Sequence, residues 1–126
     1  MISLLLDTNV FLWYFWGSER IDAARQLIES EDTVVFISAV TWWENAIKMR
    51  TGKLAVDLEQ LRSYAEIHAF NELPISGKYM KAYLDLPVLH KDPFDHMLLA
   101  QAISSPMRLV TGDSLLAKYS SLVMVI

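Results

Sequence analysis

The chain has 126 residues, 53% of them hydrophobic and 21% charged, with 15 acids against 11 bases for a formal net charge of −4. That length suits one domain over residues 1–126, large enough to fold without a covalent staple. Cysteine is absent, which excludes a disulfide framework, an iron–sulfur centre and a thiol nucleophile, and makes an intracellular, cytoplasmic address the expectation. The acidic balance excludes a protein that coats nucleic acid by charge alone.

The N-terminus reads MISLLLDTNVFLWYFW. No base precedes the apolar run and Asp7 and Asn9 interrupt it, so it is read as neither a signal peptide nor a membrane span. Ile2 to Leu6 is a short apolar run, read as a buried strand. Asn9 to Trp16 is read as a helix stopped by Gly17. Ile21, Ala24, Leu27 and Ile28 recur at helical spacing, which predicts an amphipathic helix over 20–30. Thr33 to Ile37 is β-branched and aromatic, as a buried strand requires. Ser38 is placed to cap a helix running to about Thr51, with Gly52 closing it. A helix over about 57–69 follows, and Pro74 breaks the chain. Ser76 is read as the cap of a helix that Pro87 ends. Asp92-Pro93 opens the next helix, Arg108 to Thr111 is a strand, and Leu122 to Ile126 is the last. No linker, repeat or low-complexity segment divides the chain. Strands alternating with helices predict a three-layer α/β/α sandwich with a central, mainly parallel sheet of four or five strands.

In such a sheet the functional groups gather beyond the carboxyl ends of the strands. Asp7 follows LLL at once, and Asp113 follows LVTG. Glu44 falls on the second turn of the helix leaving the second strand, and Asp95 in the first turn of the helix opened by Asp92-Pro93. Four acids from four segments are thus expected on one edge. Each also has a plain structural role open to it: Asp7 as a helix cap, Glu44 as an i,i+4 partner of Lys48, Asp113 as a turn residue. Asp92 reads as an N-cap, because Pro suits the position after it. Packed carboxylates repel and take up protons unless a cation sits among them. An all-oxygen site suits Mg²⁺ or Mn²⁺, ions that hold phosphate oxygens and acidify a bound water.

The blocks LLLDTNVFLW, SAVTWWENAIK, DPFDHMLLAQA and LVTGDSLL occur in the order seen in PIN domains, and the chain resembles in particular the VapC-type toxins of bacterial toxin–antitoxin pairs. The resemblance runs from Leu4 to about Leu116. It implies a Mg²⁺- or Mn²⁺-dependent endoribonuclease held inactive by a cognate antitoxin. Carried over block by block, it implies Asp7, Glu44, Asp95 and Asp113 as the catalytic, metal-binding acids. It implies Thr8 and Asn9 as polar supports beside Asp7, and Thr111 and Ser114 beside Asp113. Two positions depart from the family pattern: His96 stands where a basic residue commonly follows the third acid, and Gly112 where Ala or Asn commonly precedes the fourth.

An acidic chain that holds RNA needs local bases. Lys48, Arg50 and Lys53 fall within six residues and are read as phosphate contacts; Lys78, Lys81 and Lys91 read as a solvated surface. Trp42 and Trp43 offer base-stacking faces, although Trp43 shares a helix face with Ile47 and at least one of the pair is expected in the core. His96 reads as an exposed helix residue, and His90 and His68 as chemically silent. The apolar excess and the aromatic runs Val10 to Trp16 and Thr41 to Trp43 predict a homodimer and an antitoxin docking face. Two other classes stand beside the nuclease. One is a non-catalytic interaction module whose acids are only caps. The other is an aspartate-based phosphatase, which lacks its general acid because Asn9 and Phe11 occupy the positions that would supply it.

Overall fold

Leu4, Leu5 and Leu6 are wholly buried, which requires cover on both faces of the strand that carries them. The computed structural model, which describes residues 1–126, has the elements β1 (Ile2–Leu6), α1 (Thr8–Trp16), α2 (Asp22–Glu29), β2 (Thr33–Ser38), α3 (Ala39–Arg50), α4 (Leu58–Ile67), β3 (Asn71–Leu73), α5 (Met80–Asp85), α6 (Pro93–Ser104), β4 (Arg108–Thr111) and β5 (Val123–Val125). The five strands form one parallel sheet in the order β3-β2-β1-β4-β5. Alternate side chains of β1 enter different cores. Leu4 and Leu6 pack with Phe11, Tyr14, Ile28 and Leu61 from α1, α2 and α4. Leu5 packs with Leu98, Leu99 and Ala102 of α6 and with Leu109 of β4. This is the three-layer α/β/α arrangement expected from the alternation of strands and helices.

The order of the strands positions the site. The chain steps outward from β1 to β2 to β3, then returns to the other side of β1 for β4 and β5. The connections leaving β1 and β4 diverge, opening a crevice beyond their carboxyl ends. Leu6 lies opposite Ile37 of β2 and Val110 of β4. Asp7, Ser38 and Thr111 therefore stand level at the top of the sheet. Ser38 caps α3 through Val40 N–H (3.0 Å) and donates to Gln101 of α6 (2.6 Å). Gln101 in turn donates to the Pro74 carbonyl (3.3 Å), tying β2, α6 and the exit of β3 together.

Three elements differ from expectation. The helix expected over 20–30 is split: a 3-10 turn at Glu19–Ile21, capped by Ser18, precedes α2. Ser76 makes no capping bond, and a 3-10 turn (Gly77–Tyr79) leads into α5. β3 was not anticipated, because Asn71–Glu72–Leu73 carries one apolar side chain and no alternation. It is an edge strand, and Asn71 adds a side-chain bond to the Val35 carbonyl (3.4 Å).

Candidate active site

Asp7 is the first residue beyond β1. Its N–H donates to the Val110 carbonyl (3.0 Å), continuing the ladder. Its carboxylate accepts from Val10 N–H (2.8 Å), capping α1. It is buried to 6% exposure, and that burial pushes its pKa up to about 6. The Thr111 hydroxyl and the Val10 amide pull the value down, while the charges of Glu44 and Asp113 add to the rise. Thr111 is held for this contact: its Oγ1 accepts from Asp113 N–H (3.1 Å), leaving its proton for Asp7.

Glu44 projects from the second turn of α3, its carboxylate 3.3 Å from Lys48 Nζ. Asp95 lies on the first turn of α6, behind Asp92, whose carboxylate caps the helix through Phe94 N–H (2.9 Å) and Asp95 N–H (3.3 Å). Burial raises the Asp95 pKa well above the usual carboxylate range, and the charges of Asp92, Asp7 and Glu44 raise it further. Asp113 lies one residue past Gly112, at the exit of β4, and accepts from Leu115 N–H (3.0 Å).

The four acids line one open cleft of about 460 Å³. Thr8, Asn9 and Ser114 line it too, and so does Asp92. Thr111 sits beneath, wholly buried, and Thr8 meets Thr41 of α3 across the α1–α3 contact (3.2 Å). The plain structural roles hold at the same time: Asp7 and Asp113 are caps and Glu44 does pair with Lys48. A carboxylate needs one oxygen for a cap and keeps the other for the cleft.

Sequence reasoning missed three residues here. Arg20 is the only base lining the cleft; its guanidinium lies 3.9 Å above the centre of the Trp13 ring, a cation–π contact. Trp13 in turn lies against Gly112, where any Cβ would strike its ring. No spacing rule links Trp13 to Gly112, which are joined only by the β1–β4 pairing. The third is His90, read as silent, whose Nε2 lies 3.7 Å from the Asp95 carboxylate. His96, read as exposed, is buried, its ring parallel to that of His90 at 4.8 Å. Burial lowers its pKa, and His90 lowers it further.

Of the expected phosphate contacts, Lys48 and Lys53 line a neighbouring hollow that shares Glu44 and Asp92 with the cleft; Arg50 lies outside both. Trp42 is engaged elsewhere, edge-on to Phe11 and donating to Glu72 (2.8 Å), whereas Trp43 is 58% exposed. The run Val10 to Trp16 is mostly core rather than docking face: Val10, Phe11, Leu12 and Tyr14 are buried and Trp16 is exposed.

The donor set fits a hard divalent cation. Carboxylates dominate it: an Asp95 and an Asp113 oxygen already lie within 4.8 Å of one another, with a ring nitrogen of His90 at the same range beside them. Asp7 and Glu44 face the same space.

Fold and site together define a parallel α/β protein with a carboxylate-lined crevice at the switch point of its sheet. The chain belongs to the PIN domain family, whose pattern matches residues 4–122. It is 32% identical over 118 residues to Ribonuclease VapC22 of Mycobacterium tuberculosis (strain ATCC 25618 / H37Rv), covering 90% of this chain and 88% of that protein. Its fold is similar to that in VapBC2 from Rickettsia felis bound to a promoter DNA fragment, with a TM-score of 0.73 and 17% identity over 99% of this chain and 98% of that one. It is similar also to a toxin–antitoxin complex from Klebsiella pneumoniae, with a TM-score of 0.69 and 22% identity over 97% and 96% of the two chains.

Proposed function

We propose that this protein is a metal-dependent endoribonuclease, the toxin of a toxin–antitoxin pair, that hydrolyses RNA phosphodiester bonds. The observation that carries the reading is the cleft at the β1–β4 switch point, where Asp7, Glu44, Asp95 and Asp113 converge from four segments. Membership of the PIN domain family and the ribonuclease relative support it.

A Mg²⁺ or Mn²⁺ bound in the cleft supplies charge to bind phosphate oxygens and lowers the pKa of a bound water. Asp7, Asp95 and Asp113 would hold that cation, directly or through water. Glu44, steadied by Lys48, would accept a hydrogen bond from the attacking water or hold a second cation. Thr111 fixes the Asp7 carboxylate, Thr8 ties α1 to α3 beneath it, and Asn9 and Ser114 offer hydrogen bonds at the rim. Arg20 in the cleft and Lys48 and Lys53 in the neighbouring hollow are phosphate contacts for the strand, which counter the repulsion between RNA and an acidic chain; Arg50, outside both, is not among them. The phosphatase alternative fails on Phe11, which is wholly buried and leaves no acid at the position required.

An antitoxin partner follows from the same reading, supported by a neighbour solved as a toxin–antitoxin complex. Exposed Trp16 and Trp43, the latter packed on Phe94 at 5.0 Å, mark surface for it or for a second copy of this chain in a homodimer. No helix is long and apolar enough to cross a membrane; a cytoplasmic site of action is the part of the reading that rests on RNA as the substrate.

The test is cleavage of a synthetic single-stranded RNA by the purified protein. Cutting is expected with Mg²⁺ or Mn²⁺ and is expected to stop in excess chelator. Failure to cut with either ion, together with no metal-induced rise in melting temperature, would leave the acids as caps and favour an interaction module.

A further inference from the structure

His90 lies in the segment between α5 and α6, and three contacts hold it, two to its ring and one to its backbone. Its Nδ1 accepts the backbone N–H of Asp92 (3.2 Å). Its ring stacks on that of His96, with an interplanar angle of 3°. Its own backbone N–H donates to the Tyr119 hydroxyl (3.3 Å), which also accepts from Leu89 N–H (3.0 Å). With both lone pairs of that hydroxyl taken, its proton goes to His96 Nε2, 3.1 Å away. Tyr119 thus clamps the segment bearing His90 to the helix bearing Asp95.

The Nδ1 contact decides the tautomer. A backbone N–H only donates, so Nδ1 keeps its lone pair and the neutral ring carries its proton on Nε2. That Nε2 is buried with no hydrogen-bond partner. Asp95 Oδ2 faces it at 3.7 Å, and an Asp113 carboxylate oxygen lies within 4.8 Å of the imidazole's ligand nitrogen. A buried N–H left unpaired is costly, and a small closing of that gap satisfies it.

We propose that His90 is a positioning residue for this site: its Nε2–H engages one oxygen of Asp95 and turns the other toward the cation. The proposal rests on the metal-dependent reading above. A nitrogen bearing a proton has no lone pair to offer a metal, so His90 acts from outside the ligand set, as donors behind metal-binding carboxylates do. His96 and Tyr119 hold the ring in place.

The experiment compares wild type with His90→Phe, which keeps a ring without a donor, and His90→Gln, which restores an N–H donor. Mn²⁺ affinity is read by electron paramagnetic resonance, RNA cleavage as separate kcat and KM, and folding by thermal melting. Ring ¹⁵N shifts of the metal-free wild type at mildly alkaline pH are expected to show protonated Nε2 and bare Nδ1. His90→Phe is expected to weaken Mn²⁺ binding by roughly tenfold or more, lower kcat and leave the KM for RNA near wild type, with His90→Gln recovering much of the loss. If His90→Phe does not fold, Tyr119→Phe takes its place, with weaker Mn²⁺ binding again expected. Wild-type Mn²⁺ affinity in the folded variant, a proton on Nδ1, or nitrogen hyperfine coupling from His90 to bound Mn²⁺ would each overturn the proposal. Wild type and Asp95→Asn run alongside. A wild type that neither binds Mn²⁺ nor cuts RNA removes the nuclease reading itself, whereas a competent wild type matched by His90→Phe removes only this inference.

Discussion

Asp92 and Asp95 stand at the entry to one helix, and both feel the positive end of its dipole. Their hydrogen bonds separate them. Asp92 spends one carboxylate oxygen on the amides of Phe94 and Asp95, while Asp95 caps nothing and lies in the repulsive field of Asp92, Asp7 and Glu44. Asp92→Ala is expected to cost about 1 kcal/mol of stability and to leave most cleavage intact, since the backbone N–H that holds His90 survives. Asp95→Asn is expected to keep or raise stability while abolishing cleavage and weakening Mn²⁺ binding. Melting temperature, Mn²⁺ affinity and RNA turnover on both variants check the assignment; loss of activity in Asp92→Ala at full stability, with Asp95→Asn active, would reverse it. The spacing of Pro93 already distinguished these two acids, because proline at the first helical turn identifies the residue before it as the cap. His90 had no such marker. Its significance lies in a 3.7 Å approach to Asp95 that local sequence does not encode.

At the scale of elements, the contact between α1 and the exit of β4 shapes one wall of the cleft. Trp13 lies where a Gly112 side chain would be, and Arg20 lies on Trp13. Gly112→Ala is therefore expected to force the indole aside, at a cost of about 1–3 kcal/mol for an overpacked site. It is also expected to raise the KM for RNA by moving Arg20. Trp13→Leu in the same chain should recover part of the stability lost to Gly112→Ala. Chemical denaturation of the two single variants and the double tests this, and strictly additive losses would show that the two residues are not coupled. The longer helices and apolar strands were legible because periodicity and caps are local: Ser38 and Asp92 each cap the helix that their type and position suggested. β3 was not legible, because its strand state comes from pairing with β2 and its three residues show no pattern of their own. The split before α2 was hidden for a related reason, since the 3-10 turn keeps Ile21 buried without breaking the apolar spacing.

For the whole molecule, the cleft is a store of electrostatic cost. Asp7 titrates at about 6 in the folded chain against an ordinary 3.8, mainly because it is buried. The folded state thus favours the proton. The stability from this group is complete below about pH 4 and is lost as pH rises through about 6, on the order of 3 kcal/mol in all. Metal-free protein should therefore be less stable at neutral pH than this group would allow in acid. Asp7→Asn, which keeps a cap, is expected to raise the metal-free melting temperature at neutral pH and to change it little near pH 4. Mn²⁺ should stabilise the wild type more at about pH 7.5 than at about pH 5, where the cation competes with protons. Melting curves across that range, with and without Mn²⁺, test both; an equal Mn²⁺ effect at the two pH values would place the bound ion away from Asp7.

Composition, apolar periodicity and strand-end acids were enough to indicate the α/β class, the edge of the sheet that carries the site and the four carboxylates on it. Those features depend on side-chain type and on spacings of two to four residues, which a chain displays wherever it folds. Tertiary structure alone decided which partners meet: Thr111 beneath Asp7, Trp13 against Gly112, Arg20 at the mouth of the cleft, His90 behind Asp95. Thr111 and Gly112 are brought to Asp7 and Trp13 by the pairing of β4 with β1, Arg20 is carried onto Trp13 by the turn after α1, and His90 is held near Asp95 by the Tyr119 clamp; none of these shows in apolar periodicity or capping. The strength of the site was settled at the same level, because burial and neighbouring charge, not residue type, raise the Asp7 and Asp95 pKa values.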